Sequence, residues 1–445
     1  MFFRVVKVES PQDVLGPSGV EASCNVTGVW VFRLSSTRRI TSAEPSWGLG
    51  TVSGLLCSRN IKLILASCLI FGFVLGLNLL IVPLYTLVLS DSLLILALIV
   101  GMFPLTAVLL SLAGGVLGDY LGRRTIIISG FAFSAGGCLV FAVAKSYYWL
   151  LLGQILLGLG DVTFYIATYT LLTELAPPGK QVALQGLSSA ALRLGTILGP
   201  FVGGYVARSA GFPTAFLVGG ALALLGLIIA TRIEPVSSPH VHVDSLLTCL
   251  VEYHKEAWRF LAENTAVLWA NVVHAIALLT WPAMGGSLYL AFLTALGFSS
   301  AEAGCLTSAQ SLVLSLAQLS SGYLSSRVSI TGLSLVAIAI GALTVGMMPW
   351  LGSIPLIAVV GCVGGVSGIY MPVLVGFLAE NTDRTRRSMP VAWLNLTWAV
   401  VSPVALFIFG AIAERVSLSS AFFLSGAFAM FCTGPLWIWA KRKLP

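Results

Sequence analysis

The chain has 445 residues, of which 57% are hydrophobic and only 9% are charged, and its formal net charge is +7. Soluble domains carry about 25% charged residues, so this composition excludes an ordinary soluble protein and indicates a membrane protein. The positive charges are scattered among short loops, which argues against a nucleic-acid surface.

The eight cysteines form no C-x-x-C pair and show no metal-ligand spacing. Small apolar cysteines are common within buried or lipid-embedded segments. We therefore predict no disulfide framework, no metal site and no cofactor.

The first 58 residues contain no apolar run of spanning length and carry acids as well as basic residues. They match neither a signal peptide nor an organellar transit peptide. The sequence predicts a cytoplasmic N-terminal tail at 1–58, with an open role.

Twelve apolar segments of spanning length follow the tail. A single long polar connection divides them six and six, which predicts an N-terminal six-helix bundle at 59–231, a cytoplasmic central loop at 232–264, a C-terminal six-helix bundle at 265–440 and a basic tail at 441–445. The fold class is therefore an all-α integral membrane protein. The predicted spans are 61–88, 92–118, 124–144, 147–174, 184–207, 212–231, 265–293, 302–325, 329–350, 353–379, 389–413 and 418–440.

The basic residues predict the orientation of these spans. Twenty of the 24 lysines and arginines lie in or beside the loops and termini on one side, three on the other, and Arg193 within a span. Cytoplasmic loops carry the excess of Lys and Arg. Both termini are predicted to be cytoplasmic, in a multi-pass protein of the cell membrane.

A short charged loop separates spans 2 and 3. It reads Gly115-Val-Leu-Gly-Asp119-Tyr-Leu-Gly122-Arg123-Arg124, and its glycines permit a tight turn. This pattern resembles the loop between the second and third helices of the major facilitator superfamily. In that family the motif acid contacts the cytoplasmic N-terminus of span 11, predicted here near Ser388, and its own arginine. The resemblance implies that Gly115, Asp119, Gly122, Arg123 and Arg124 form a conformational latch.

Span 5 carries Gly195-Thr-Ile-Leu-Gly199-Pro200-Phe-Val-Gly203-Gly204. Glycines at four-residue spacing leave a smooth face on which a neighbouring backbone can lie. The pattern resembles the fifth-helix signature of the 12-helix drug:proton antiporters of the superfamily, where it shapes the contact between halves. We therefore predict an inter-bundle gate here. The small residues of span 8 are its expected partner face: Ser308, Ser311, Ser315 and Gly322.

Span 4 has a polar stripe on an otherwise apolar helix, and Asp161 lies near its middle. An ionised carboxylate at that depth must be paired, protonated or in contact with water. Arg193 of span 5 lies at a similar depth and is the expected partner. A structural ion pair, a proton site and a substrate contact all remain open for the two residues.

Two departures from the antiporter pattern bear on coupling. Drug:proton antiporters usually carry an arginine on span 4 where this chain has Gln154, and many carry an acid in span 1, where only Asn78 is found. The superfamily layout implies that spans 1, 4, 7 and 10 line the central path. The candidate cavity residues, to which span 11 adds one, are Asn78, Gln154, Tyr165, Asn271, His274, Trp281, Tyr370 and Asn395.

No Walker A motif or catalytic triad pattern is present, so the sequence predicts neither an ATP-driven pump nor an enzyme. Six plus six spans favour alternating access by a secondary transporter. The first hypothesis is proton-coupled efflux of a lipophilic or amphipathic compound by a monomer in the lipid bilayer. The alternatives are an uptake symporter or uniporter for a polar metabolite, and a transport-inactive sensor or scaffold.

Overall fold

The structure, a computed structural model, describes residues 20–24, 30–34, 58–111, 122–176, 181–235, 258–382 and 388–443. The chain forms two compact units, Met1–Leu55 and Leu56–Pro445. In the first unit, β1 (Val20–Cys24) pairs with β2 (Trp30–Leu34) as an antiparallel hairpin in which Val20 lies opposite Leu34.

The described residues of the second unit form helices joined by short turns. In chain order its helices are α1 (Arg59–Leu89), α2 (Leu93–Ser111), α3 (Arg123–Ala142), α4 (Tyr147–Leu175), α5 (Gln181–Ala210), α6 (Phe212–Ala230), α7a (Thr265–Met284), α7b (Ser287–Ala295), α8 (Ser300–Ser325), α9 (Ile330–Met347), α10a (Ile354–Gly364), α10b (Tyr370–Glu380), α11 (Ser388–Arg415) and α12 (Leu418–Lys443).

These helices follow from the apolar runs, because a segment within lipid must satisfy its backbone N–H and C=O groups internally. In the described part of the chain, ten helical stretches are long and apolar enough to span a membrane, and a shorter apolar helix covers Leu93–Thr106. The remaining segment, α8, has 26 residues but is less apolar. The all-α membrane fold is confirmed, and these segments agree with the predicted twelve.

Helix packing repeats after six segments. In the first half α1 packs on α5 and α6, α2 packs on α4, and α3 packs on α4 and α6. The same pairs recur in the second half: α7 with α11 and α12, α8 with α10, and α9 with α10 and α12. The two halves are therefore pseudo-symmetric six-helix bundles, joined mainly through α5 with α8 and α2 with α11.

Two helices of the second bundle are interrupted. Helix α7 breaks at Gly285 and Gly286, just after Pro282, and α10 passes through a 3-10 turn at Gly365–Ile369. A Cβ at Gly361 or Gly365 would press on the Tyr289 hydroxyl or on the backbone of α8, so the glycine-rich run allows close packing here. The predicted single spans 265–293 and 353–379 are each two helices.

The hydrophobic core differs between the two ends of the molecule. We call the end with Arg123 and Glu174 the basic end, and the opposite end, with Ser92 and Glu414, the Glu414 end. One core cluster includes residues of both bundles, such as Leu80 and Leu290, whereas the clusters nearer the basic end each lie within a single bundle. The bundles thus share a core only toward the Glu414 end.

The contact between α5 and α8 shows the same asymmetry. Gly204 and Gly304 face each other, and a Cβ on either would collide with the backbone of the other helix. Gly186 and Gly322 each lie 18 residues away, five full turns along the same faces. Neither has any described heavy atom within 4 Å of a Cβ position. The bundles meet at the Glu414 end and diverge toward the basic end.

Candidate functional site

The polar stripe of α4 contains three oxygens that lack a hydrogen-bond partner among the described residues. They are Gln154 Oε1, Asp161 Oδ1 and Thr168 Oγ1, and all three are buried. The residues are spaced by seven, so they lie on one helix face, about 10 Å apart. Buried polar groups are normally hydrogen-bonded, so three unpartnered oxygens in one row indicate a surface that is complete only with a proton, water or solute.

Asp161 occupies the middle of α4, 14 residues from either end, which is about 21 Å from each end at 1.5 Å per residue. Its side chain is half-buried. The carboxylate makes no hydrogen bond or ion pair with any residue that the structure describes. Asp161 is therefore placed where its charge is costly and where proton uptake removes that cost.

Arg193 lies at nearly the same depth but forms no ion pair with Asp161. It is 11 residues from Gly204, so it projects from the face of α5 that packs on α8, and its side chain is exposed. The ring of Tyr165, 47% exposed, lies within electrostatic range of both Asp161 and Arg193. Of the three interpretations left open, the structural ion pair does not form in this conformation, because equal depth does not place two side chains on facing surfaces.

The second bundle contributes an uncharged polar network. Thr397 Oγ1 of α11 donates to Asn271 Oδ1 at 2.8 Å, and Asn271 Nδ2 donates to the Val267 carbonyl. His274 Nδ1 lies 3.1 Å from the Tyr370 hydroxyl, and the imidazole ring also lies against the backbone of Leu394 in α11. These groups tie α7a to α10b and α11.

The remaining cavity candidates separate into three kinds of environment. Asn78 is 1% exposed and bonds to the Val74 carbonyl and to Cys138 Sγ, so it lies inside the first bundle and the expectation of a cavity wall is wrong in this structure. Trp281 is half-buried. Asn395 is exposed on α11. Val404 is an exposed apolar residue of the same helix, suited to contact with lipid. The two are nine residues apart, which is two and a half turns, so Asn395 lies on the opposite side of the helix.

The glycine motif of α5 is placed differently from the prediction. Gly195, Gly199 and Gly203 pack on α1, inside the first bundle, where a Cβ would collide with α1 atoms. The predicted contact of this smooth face with α8 is therefore wrong. Pro200 and Gly204 of α5 make the contact with the second bundle, where they pack on Ser300 and Gly304 of α8. This contact begins about two turns nearer the Glu414 end than the predicted partner residues of α8.

The structure describes the charged loop between spans 2 and 3 only from Gly122 onward, so Gly115 and Asp119 lie outside the described residues. Gly122 has φ +82°, a backbone conformation that favours glycine. Arg123 Nε lies 3.4 Å from Glu174 Oε1, and Arg124 donates to the Thr231 carbonyl. Both arginines thus hold together the basic ends of α3, α4 and α6.

Sequence reasoning missed two groups that join distant helices, one within the second bundle and one between the bundles. Thr397 completes the polar network of the second bundle, and no spacing rule connects it to Asn271, 126 residues away. Glu414 has no predicted role, yet its carboxylate accepts a hydrogen bond from Ser92 of the first bundle. Both are contacts between distant segments, which a local pattern does not reveal.

Comparison with known proteins gives the family. The model of the Major Facilitator Superfamily matches residues 63–295 and 270–445. The chain therefore belongs to this superfamily of membrane transporters, in agreement with the fold.

Two relatives of known name are similar over one part of the chain. The quinolone resistance protein NorA of Staphylococcus aureus is 30% identical over 135 residues, which are 30% of this chain and 34% of that protein. The methylenomycin A resistance protein of Bacillus subtilis is 33% identical over 137 residues, 30% of this chain and 29% of that protein. The chain aligns with about a third of each of these relatives.

Solved structures share the fold over most of their length. A crystal structure of the nucleoside transporter NupG has a TM-score of 0.71 and 12% identity, covering 85% of this chain and 99% of that one. A POT family transporter bound to a thioalcohol-conjugated peptide also has a TM-score of 0.71, with 10% identity, covering 87% and 97%. At these identities the likeness concerns the fold alone.

Proposed function

We propose that the protein exports a lipophilic or amphipathic small solute in exchange for protons, by alternating access. The observation that carries this proposal is the row of unpartnered buried oxygens on α4, with the unpaired carboxylate of Asp161 at its centre. The resistance functions named for two partial relatives support export.

Asp161 has the properties required of a proton site. Its carboxylate is half-buried near the middle of the helix and has no cationic partner within ion-pair distance among the described residues. Protonation removes the cost of a charge in low dielectric, whereas a cationic or dipolar solute offsets the same cost by direct contact. Proton and solute are thus alternatives for one carboxylate, which is the condition for exchange.

Arg193 and Tyr165 shape the approach to this site. Both are exposed on the side where α5 and α8 diverge, so a solute from the basic end meets them at the level of Asp161. The aromatic ring of Tyr165 provides an apolar face with a hydroxyl, which suits an amphipathic compound.

The test is proton release from purified protein when a fluoroquinolone or ethidium is added, measured with a pH indicator in weak buffer. We expect wild type to release protons and Asp161→Asn to release none, while Arg193→Ala still responds. Glu263→Gln is the matched control, because Glu263 is an exposed acid at the start of α7a and is expected to behave as wild type. Release that survives in Asp161→Asn would exclude Asp161 as the proton site.

A second candidate function is uptake of a polar metabolite by a symporter or uniporter. The network of Asn271, His274, Tyr370 and Thr397 favours it, because a hydrogen-bonding wall can recognise hydroxyl or amide groups. This function would be supported if wild type and variants bind polar solutes without releasing protons. The same result would contradict the proposed proton antiport.

We also propose that the basic end faces the cytoplasm of a cell membrane, with both termini on that side and the protein a monomer. The excess of Lys and Arg on this side supports the orientation. A fluorescent reporter fused after residue 445 is expected to fold in the cytoplasm. An exported phosphatase active at the same position would reverse the topology.

A further inference from the structure

At the Glu414 end, one carboxylate of the second bundle reaches the N-terminus of a helix in the first. The hydroxyl of Ser92, the residue before α2, donates to Glu414 Oε1 at 2.9 Å and to Oε2 at 2.7 Å. The backbone N–H of Leu94 donates to Oε2 at 2.8 Å. Ser92 Oγ also accepts from the backbone N–H of Ile95, as an N-cap does.

This contact satisfies two needs of α2 at once. The first N–H groups of a helix have no partner within the helix, and the helix dipole makes that end positive. Glu414 supplies both an acceptor and a negative charge, and charge-assisted hydrogen bonds are stronger than neutral ones. The last turn of α11 thereby caps the first turn of α2 across the bundle interface.

The rest of the interface between these helices is uncharged packing. Gly410 lies against Ala97 and the Leu93 carbonyl, and further along Gly101 packs against Pro403. Phe103 and Trp398 make an edge-on ring contact with centroids 6.4 Å apart. Glu414 is therefore the charged group of this interface in its described residues, and it lies at the outermost point.

We propose that Glu414 is a positioning residue for transport: its bonds to Ser92 and Leu94 hold the Glu414 end closed, and they must break before that end opens. The arrangement is the reverse of the contact predicted for Asp119, in which the loop between spans 2 and 3 contacts the start of span 11 at the basic end. The inference rests on alternating access, and it depends on neither the solute nor the coupling ion.

The test is hydrogen–deuterium exchange of the full chain in detergent, read at both ends of the molecule without added solute. We expect Glu414→Gln to raise exchange over 92–103 by about threefold or more, and to lower it over 186–193, because loss of a state-specific contact shifts the population toward the other state. Asp91→Asn is the matched control, since Asp91 is an exposed acid beside Ser92 that bonds to no described residue. This control is expected to leave both segments unchanged.

A purely structural role gives a different result. If Glu414→Gln only loosens the fold, exchange rises at both ends, and the proposal is overturned. Unchanged exchange at both ends overturns it as well. Ser92→Ala removes one donor and keeps the carboxylate, so its changes are expected to have the same signs at smaller size. Because no solute is used, a negative result here does not bear on the proposed antiport. A negative result in the proton-release test likewise does not bear on the role proposed for Glu414.

Discussion

The two ends of the contact between α5 and α8 are built from the same residue type but packed differently. At the Glu414 end, Gly204 and Gly304 bring the backbones together with no room for a side chain. Five turns away, Gly186 and Gly322 occupy equivalent positions and touch nothing within 4 Å among the described residues. Packing against the described residues therefore does not require glycine at Gly186 or Gly322 in this conformation.

This difference is what we expect of a transporter in one of the two states of the proposed alternating access. The glycines of α5 and α8 at the basic end have a purpose if the two helices pack there in the other state. Such a contact would form and release once in each transport cycle. The structure then shows the state that is closed at the Glu414 end and open at the basic end. Under the proposed alternating access, we expect Gly186 and Gly322 to form the closed pair in the other state.

The largest effect is expected for Gly204→Leu. The added side chain meets the backbone of Ser300, and overpacking of this kind costs about 1–3 kcal/mol, or roughly a 5- to 150-fold loss of the observed state. Transport is expected to fall by the same order, with exchange of the Glu414-end amides increased. Gly434→Leu is the control, because Gly434 has open space around it on α12.

Gly186→Leu sharpens the comparison from the other side. Its side chain has space in the observed state, so thermal stability is expected to stay within about 1 °C of wild type, while transport falls by roughly tenfold because the basic end cannot close. A purified-protein melting curve and a vesicle transport assay measure the two quantities. Normal transport by Gly186→Leu would mean that the open pair never closes.

A smaller effect is expected where the bundles diverge. Tyr165→Phe keeps the ring and removes the hydroxyl near Asp161 and Arg193, so solute binding is expected to weaken by about three- to tenfold, the value of one hydrogen bond. Titration calorimetry measures it. Tyr205→Phe, an exposed tyrosine on the outward face of α5, is expected to leave binding unchanged.

The smallest effect concerns the basic end itself. Glu174→Gln removes the ion pair with Arg123. The Glu174 side chain is 32% exposed in this pair. Partly exposed pairs contribute about 0–1 kcal/mol, so the melting temperature is expected to change by less than about 2 °C. A large drop would mean that this pair holds the first bundle together.

The helices, their order and the resemblance to the superfamily could be predicted from the sequence, because length and apolar composition decide what crosses a membrane. The start of α11 at Ser388 and the need for glycine at Gly122 also followed from local rules. These features depend on neighbouring residues alone.

Partners across the fold could not be predicted in the same way. The spacing of Gly195 and Gly199 correctly indicated a smooth face, but it does not say which helix lies on that face, and α1 does. Depth placed Arg193 level with Asp161, yet the direction of each side chain around its helix decides whether two charges meet. Pairings that depend on azimuth and on the state of the cycle require the three-dimensional structure.

The interruptions of α7 and α10 give the two bundles different mechanical characters. Their first-bundle counterparts, α1 and α4, run unbroken for 31 and 29 residues. The two interruptions touch each other, since Ser367 Oγ lies 3.1 Å from Met284 Sδ. The charged residues of the proposed site, Asp161 and Arg193, lie in unbroken helices of the first bundle. We therefore expect adjustment to solutes of different size to come from the interrupted helices of the second bundle.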